Sequence, residues 1–249
     1  MRSRIVNLHF RKFRVSIALN LGCKIEKMER YLIGIDEAGV GPVLGPLVVG
    51  GVKIGESKLG LLKKFGVKDS KLFGGGERAI ERREKVWQKI NGFAGFWVEK
   101  IAASKLDSHN WVLLEVEKIA RIMTALSWWE AETIFIGWVG KLGEGRFLRL
   151  LRKNLGRKGG VNLKRLGEKI VYRKNVEEEL VGGAASILAK VERDREVKKF
   201  CEKLGFGYVS GYCNTKTAEF LRKCREKYRR LPSFVRKSRK WPPLQELLL

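Results

Sequence analysis

The chain has 249 residues, 44% of them hydrophobic, enough to bury a sizeable core, and 52 Lys and Arg against 27 Asp and Glu leave a formal net charge of +25. So one-sided a balance points to a polyanionic partner, nucleic acid first. No apolar run reaches the roughly 18 residues of a membrane span, and four cysteines without Cys-x-x-Cys spacing, beside two histidines, argue against a zinc site or a disulfide framework, so the reducing cytoplasm is the expected compartment.

Residues 1–30 form a basic N-terminal stretch with a short apolar patch from Val15 to Leu21, too short for a secretory signal. Tyr31 to Ile35 then suit a buried strand that delivers Asp36 and Glu37 into a turn made by Gly39, Gly41 and Pro42. The β-branched residues between Val43 and Val52 supply a return strand, giving a hairpin with acids at its mouth. A carboxylate at the end of a buried strand needs a hydrogen bond, an ion partner or a cation, so a divalent metal is one reading of Asp36. Two solvated turn acids are the other.

Residues 57–90 read as helical with an interruption at Gly74-Gly75-Gly76, and Glu77 to Lys89 carry the charge pairs of an exposed face. Residues 93–101 read as a strand. Asp107 or Ser108 is the expected cap of the next helix, with Leu113, Val116, Ile119, Ala120 and Met123 on its buried face. Thr133 to Val139 suit a central strand, 146–155 a helix, 169–173 a short strand, and 177–204 a helix whose Gly182, Gly183, Ala184 and Ala185 permit a close approach. Strands alternating with helices predict an α/β protein, a mixed sheet flanked by helices. Two blocks, Leu221 to Lys240 and Arg149 to Lys174, each hold ten basic residues and one acid and are expected to contact phosphates.

Several of these words are specific. Gly34-Ile35-Asp36-Glu37-Ala38-Gly39 with Gly41-Pro42 and Gly45-Pro46 resembles the opening motif of the type 2 ribonuclease H family, ribonuclease HII, in its archaeal branch. Asp69-Ser70-Lys71, the run Ala184 to Arg195, Ser210-Gly211-Tyr212 and Leu231 to Ser238 follow as its further motifs, in family order, across about residues 31 to 240. The resemblance implies a ribonuclease H-like domain over 31–200, with a basic helical C-terminal segment over 201–249. Because the family starts shortly before its Asp-Glu motif, where Met28 stands, residues 1–30 are expected to be either a mis-called start or a disordered arm. The implied activity is cleavage of the RNA strand of RNA–DNA hybrids, or of RNA–DNA junctions, by a monomer using Mg2+ or Mn2+. Asp36 and Glu37 would be catalytic metal ligands, and Gly39, Gly41, Lys71, Ser186, Tyr212, Arg236 and Lys237 would contact the substrate.

The chain also departs from the family pattern. Two-ion catalysis uses four carboxylates. The third should follow the apolar run of the central strand, where Gly137 stands, and the fourth falls on Val176. Val40 stands where the family's Gly-x-Gly turn carries a charged residue, and an Asn-Glu pair on the middle helix is replaced by Val112 and Leu113. Glu177 is the candidate substitute ligand; Glu130 and Glu132 lie at the far end of their strand. Two readings follow: a hybrid endonuclease with a reduced metal site, or a catalytically inactive relative that binds nucleic acid.

Overall fold

The computed structural model describes residues 29–67, 73–156 and 165–249, so the N-terminal stretch to residue 28 and the Asp69-Ser70-Lys71 segment lie outside the described residues. A five-stranded mixed sheet organises the rest. Strand β1 (Tyr31–Ala38) holds its middle, β2 (Leu47–Gly55) returns antiparallel with Asp36 opposite Gly50, and β3 (Gly95–Ile101) extends that edge. On the other side β4 (Ala131–Gly137) pairs parallel with β1, and β5 (Ile170–Arg173) parallel with β4, in the order β3-β2-β1-β4-β5. The Thr133 to Val139 run is therefore one place off centre. β1 takes the middle because it is covered on both edges and both faces, and its Ile33 and Ile35 are fully buried.

One face of the sheet is covered by α4 (Trp111–Ala125) and α5 (Glu144–Leu155), whose Val116, Ile119, Met123, Phe147 and Leu151 pack with Ile134 and Ile136 of β4. The opposite face is covered by α7 (Leu180–Lys203), with α1 (Leu59–Lys64) and α2 (Glu77–Asn91) beside it. Helix α7 lies almost on the strands. A Cβ at Gly34 would sit 2.2 Å from the carbonyl oxygen of Val181, so only glycine admits this crossing. The small residues at the start of α7 thus bring Ser186, well inside the helix, over the end of β1.

The helix of α4 starts later than its sequence suggests. Asn110, not Asp107 or Ser108, is its cap, accepting from the Val112 N–H at 3.0 Å. Asp107, in the short α3 (Ala103–Ser108), instead accepts from the Lys237 N–H at 2.9 Å and the Ser238 hydroxyl at 2.7 Å. The helix expected from 177 is likewise shorter at its start. Val176–Glu178 make a 3-10 turn, and Glu179 is extended before α7 begins. After α6 (Leu166–Lys169) and α7, the helices α8 (Thr215–Tyr228) and α9 (Pro242–Gln245) build a separate core of Val43, Leu44, Val197, Phe220, Phe234 and Leu244.

Candidate active site

The parallel pair β1 and β4 ends in a crevice, the place where open α/β sheets take ligands. Asp36 and Glu37 floor it, in a cleft of about 520 Å³ whose walls include Tyr212, Trp138, Lys174 and Glu177. Asp36 keeps an opening to the cleft, yet protein surrounds its carboxyl. That enclosure, followed by the charge of Glu37, pushes its pKa well above the usual carboxylate range, against hydrogen bonds from the Ser186 hydroxyl and the Glu37 N–H. Ser186 is itself buried, so its place in the site is beneath Asp36.

A third acid was not singled out by the sequence. Glu115 of α4 is 1% exposed, its Oε2 has no hydrogen-bond partner, and burial, then the charge of Asp36, pushes it up to about 8. The signal was its spacing. Glu115 precedes Ile119 and Met123 by four and eight residues, on the buried stripe of the helix.

Positions 137 and 176 meet at Asp36, where the family pattern wants two more carboxylates. A Cβ at Gly137 would lie 2.8 Å from Asp36 Oδ1, 3.3 Å from Val176 Cγ1 and 3.5 Å from Glu37 Oε2. Val176 is fully buried and fills the adjoining space with methyl groups. Glu177, on the 3-10 turn, lines the cleft as a substitute ligand would have to. Still, among the described residues no three His, Cys, Asp or Glu side chains are grouped to hold a metal. The residues present therefore do not fit a two-ion set. Glu130, pairing with Lys53 at 2.5 Å, and Glu132 are remote, at the start of β4.

The loop after β1 is held by buried arginines. Arg193 donates to Leu44 O at 3.1 Å and Ser210 O at 2.9 Å, and its guanidinium lies 5.6 Å from the Tyr212 ring. Arg236, read from the sequence as a substrate contact, is 2% exposed and donates to Gly45 O at 2.9 Å and Val40 O at 3.2 Å. Burial, then the charges of Arg193 and Arg239, pushes it down to about 9. Its guanidinium thus shapes the loop and does not face the cleft solvent. Gly39, with φ +102°, and Gly41, next to Tyr212, carry that loop past the acids. Tyr212 is exposed on the cleft wall and Lys237 is exposed further off. The cations Arg222, Lys223, Arg225 and Lys227 of α8 and Arg146, Arg149, Arg152 and Lys153 of α5 are exposed.

A basic chain with acids at the C-terminal end of the middle strand of such a sheet defines a ribonuclease H-like protein. The family model "Ribonuclease HII" matches residues 33–130. Ribonuclease HII of Methanothermobacter thermautotrophicus is 37% identical over 224 residues, covering 86% of this chain and 98% of its own. The chain belongs to the ribonuclease HII family, a divalent-metal-dependent family. Among solved structures, ribonuclease H2 from Pyrococcus horikoshii aligns with a TM-score of 0.70 at 29% identity over 87% of this chain and 96% of that one. The Archaeoglobus fulgidus protein, solved as a PCNA:RNase HII complex, aligns at 0.68 and 31% identity over 88% and 97%. Among the described residues no helix is long and apolar enough to cross a membrane.

Proposed function

We propose that this ribonuclease HII-like protein recognises RNA–DNA hybrids in the cleft above Asp36 and Glu37, as a monomer in the cytoplasm, and that its reaction is endonucleolytic cleavage of the RNA strand with Mg2+ or Mn2+. The observation that carries this is the acid pair at the end of β1, flooring a cleft with an exposed tyrosine on its wall, in a chain of net charge +25. The backbone of Gly39 and Gly41 lets a strand approach closely, Tyr212 packs on a sugar, Ser186 holds Asp36, and Lys71 and Lys237 meet phosphates. A divalent ion, when bound, supplies Lewis-acid stabilisation of the leaving oxygen. Asp36 and Glu37 are the residues that would hold it.

A second reading is favoured by Gly137 and Val176: a hybrid-binding protein that does not cleave. Incubation of an end-labelled RNA–DNA hybrid, and of a duplex with one embedded ribonucleotide, in Mg2+ and in Mn2+ separates the two. Cleavage that is lost in Asp36→Asn supports the first reading. Salt-sensitive binding of the hybrid without any cleavage supports the second.

A further inference from the structure

Immediately after Gly137 the chain places a large aromatic ring that the core does not use. Trp138 is 48% exposed and lines the cleft together with Asp36, Glu37, Lys174 and Tyr212. It also lines a second groove, of about 290 Å³, with Lys141, Gly143, Glu144 and Tyr172. Trp138 is therefore common to both grooves.

The ring is held in place. The Trp138 backbone N–H donates to Arg173 O at 3.1 Å, and its indole N–H reaches Tyr172 O at 3.4 Å. Tyr172 lies beside it at 6.4 Å between ring centroids and is stacked on buried Phe147 at 4.2 Å and 5°. The Tyr172 hydroxyl is fixed at both ends, accepting from the Val139 N–H at 2.9 Å and donating to Leu142 O at 3.0 Å. A side chain so supported has little rotamer freedom left to lose when a ligand packs on it. Exposed Lys174 and Lys141 lie on either side for a phosphate backbone, with Glu144 as the one acid of the second groove.

We propose that Trp138 is a stacking platform for an unpaired nucleobase, so that the protein distinguishes a hybrid with a single-stranded extension at the cleft from a blunt one. This rests on the hybrid-recognition reading and adds a specificity to it. Inside a helix the faces of paired bases are covered by their neighbours, so away from a blunt end an indole takes only a base that has left the stack. Such stacking tolerates any base, because each has a π face, and it requires the cations to follow the backbone alongside. The two grooves that share Trp138 provide that path, from the acids, across the indole, towards the start of α5.

The test uses the full chain with two hybrids, one blunt and one carrying a three-nucleotide extension with 2-aminopurine in it. The wild type binds the extended hybrid more tightly and quenches the 2-aminopurine. Trp138→Ala weakens binding of the extended hybrid by roughly 5- to 100-fold and abolishes the quenching. Its binding of the blunt hybrid falls by a smaller factor, so that the preference for the extended hybrid is lost, while its salt slope stays unchanged because no phosphate contact is lost. An equal loss on both hybrids overturns the stacking role. Trp138→Phe retains part of the preference, which separates stacking from a general loss of fold. Equal behaviour of wild type and Trp138→Ala on both hybrids, with firm binding of the blunt one, overturns the stacking role and leaves hybrid recognition standing. Failure of the wild type to bind either hybrid overturns both.

Discussion

Asp194 belongs to α7 and Asp36 lies under it, and the two carboxylates are treated in opposite ways. Asp194, 1% exposed, receives Arg83 at 3.0 Å, Lys190 at 2.5 Å and the Tyr208 hydroxyl at 3.0 Å, with Arg193 at 3.5 Å. Asp36 receives the Ser186 hydroxyl and the Glu37 N–H, and it faces two further acids, Glu37 and Glu115. Burying a carboxylate among cations builds structure. Enclosing one among other carboxylates stores an electrostatic cost that a ligand bringing positive charge can relieve. The first centre locks α2, α7 and the loop before α8 together; the second keeps the end of β1 ready for chemistry.

Removing each carboxylate in turn is the strongest way to break this comparison. Asp194→Ala leaves three cationic side chains facing one another, and the expected loss is about 3–5 kcal/mol of unfolding free energy. Asp36→Asn removes a charge that its surroundings disfavour, so stability at pH 7 is expected to hold or rise, while any cleavage disappears. Urea unfolding of both variants measures this. Equal losses would erase the distinction between the two centres.

Titration of Glu115 sharpens it. Its value of about 8 lies above the ordinary 4.5, so the folded chain holds a proton that the unfolded chain releases between those values. Stability contributed through this group is therefore greatest below about pH 4.5 and falls, by up to about 1.4 kcal/mol per pH unit, until about pH 8. Glu115→Gln removes that dependence. The melting temperature of the variant should exceed that of the wild type at pH 8 and approach it near pH 4.5. Parallel curves across this range would mean that Glu115 is already balanced by charge.

How much of this was legible depends on which force set each feature. The strands of β1, β4 and β5 and the acids Asp36 and Glu37 are written in local apolar runs and in the Gly-Ile-Asp-Glu-Ala-Gly motif. The gaps at Gly137 and Val176 were readable for the same reason, by register against the family pattern. Arg236 was misleading, since a basic residue in a basic segment looks like a phosphate contact. Only the fold shows that it is consumed by Gly45 and Val40 carbonyls. The cap of α4 went to Asn110 because Asp107 is needed by the distant Lys237 and Ser238, a contact across 130 residues that no local pattern encodes. Glu115 escaped because an acid on an apolar stripe is ordinarily placed at the solvent edge.

Restoring the missing carboxylates tests whether the acid centre still has the shape of a metal site. In the double variant Gly137→Asp with Val176→Asp, two new acids crowd against Asp36, Glu37 and Glu115. Without divalent ions the variant is expected to be a few kcal/mol less stable than wild type. With Mg2+ or Mn2+ at 100 times the dissociation constant it should regain about 2.7 kcal/mol, read as a metal-dependent thermal shift. The wild type, with no three-ligand group among the described residues, should shift less. Equal shifts would show that Asp36, Glu37 and Glu177 suffice.

The smallest expected effect concerns the turn between the two glycines. Val40 is partly exposed on the cleft, and its carbonyl is already held by Arg236 and Arg239, so the backbone there does not depend on the side chain. Val40→Arg therefore adds a charge without disturbing the loop. If a strand passes over Gly39 and Gly41, the new guanidinium meets one phosphate, and the dependence of log affinity on log salt should steepen by about 1. Tightening should be evident at low salt and fade as salt rises. A steeper slope on duplex DNA and hybrid alike would assign the turn to backbone contact only, whereas steepening on the hybrid alone would mean that strand geometry decides what reaches it.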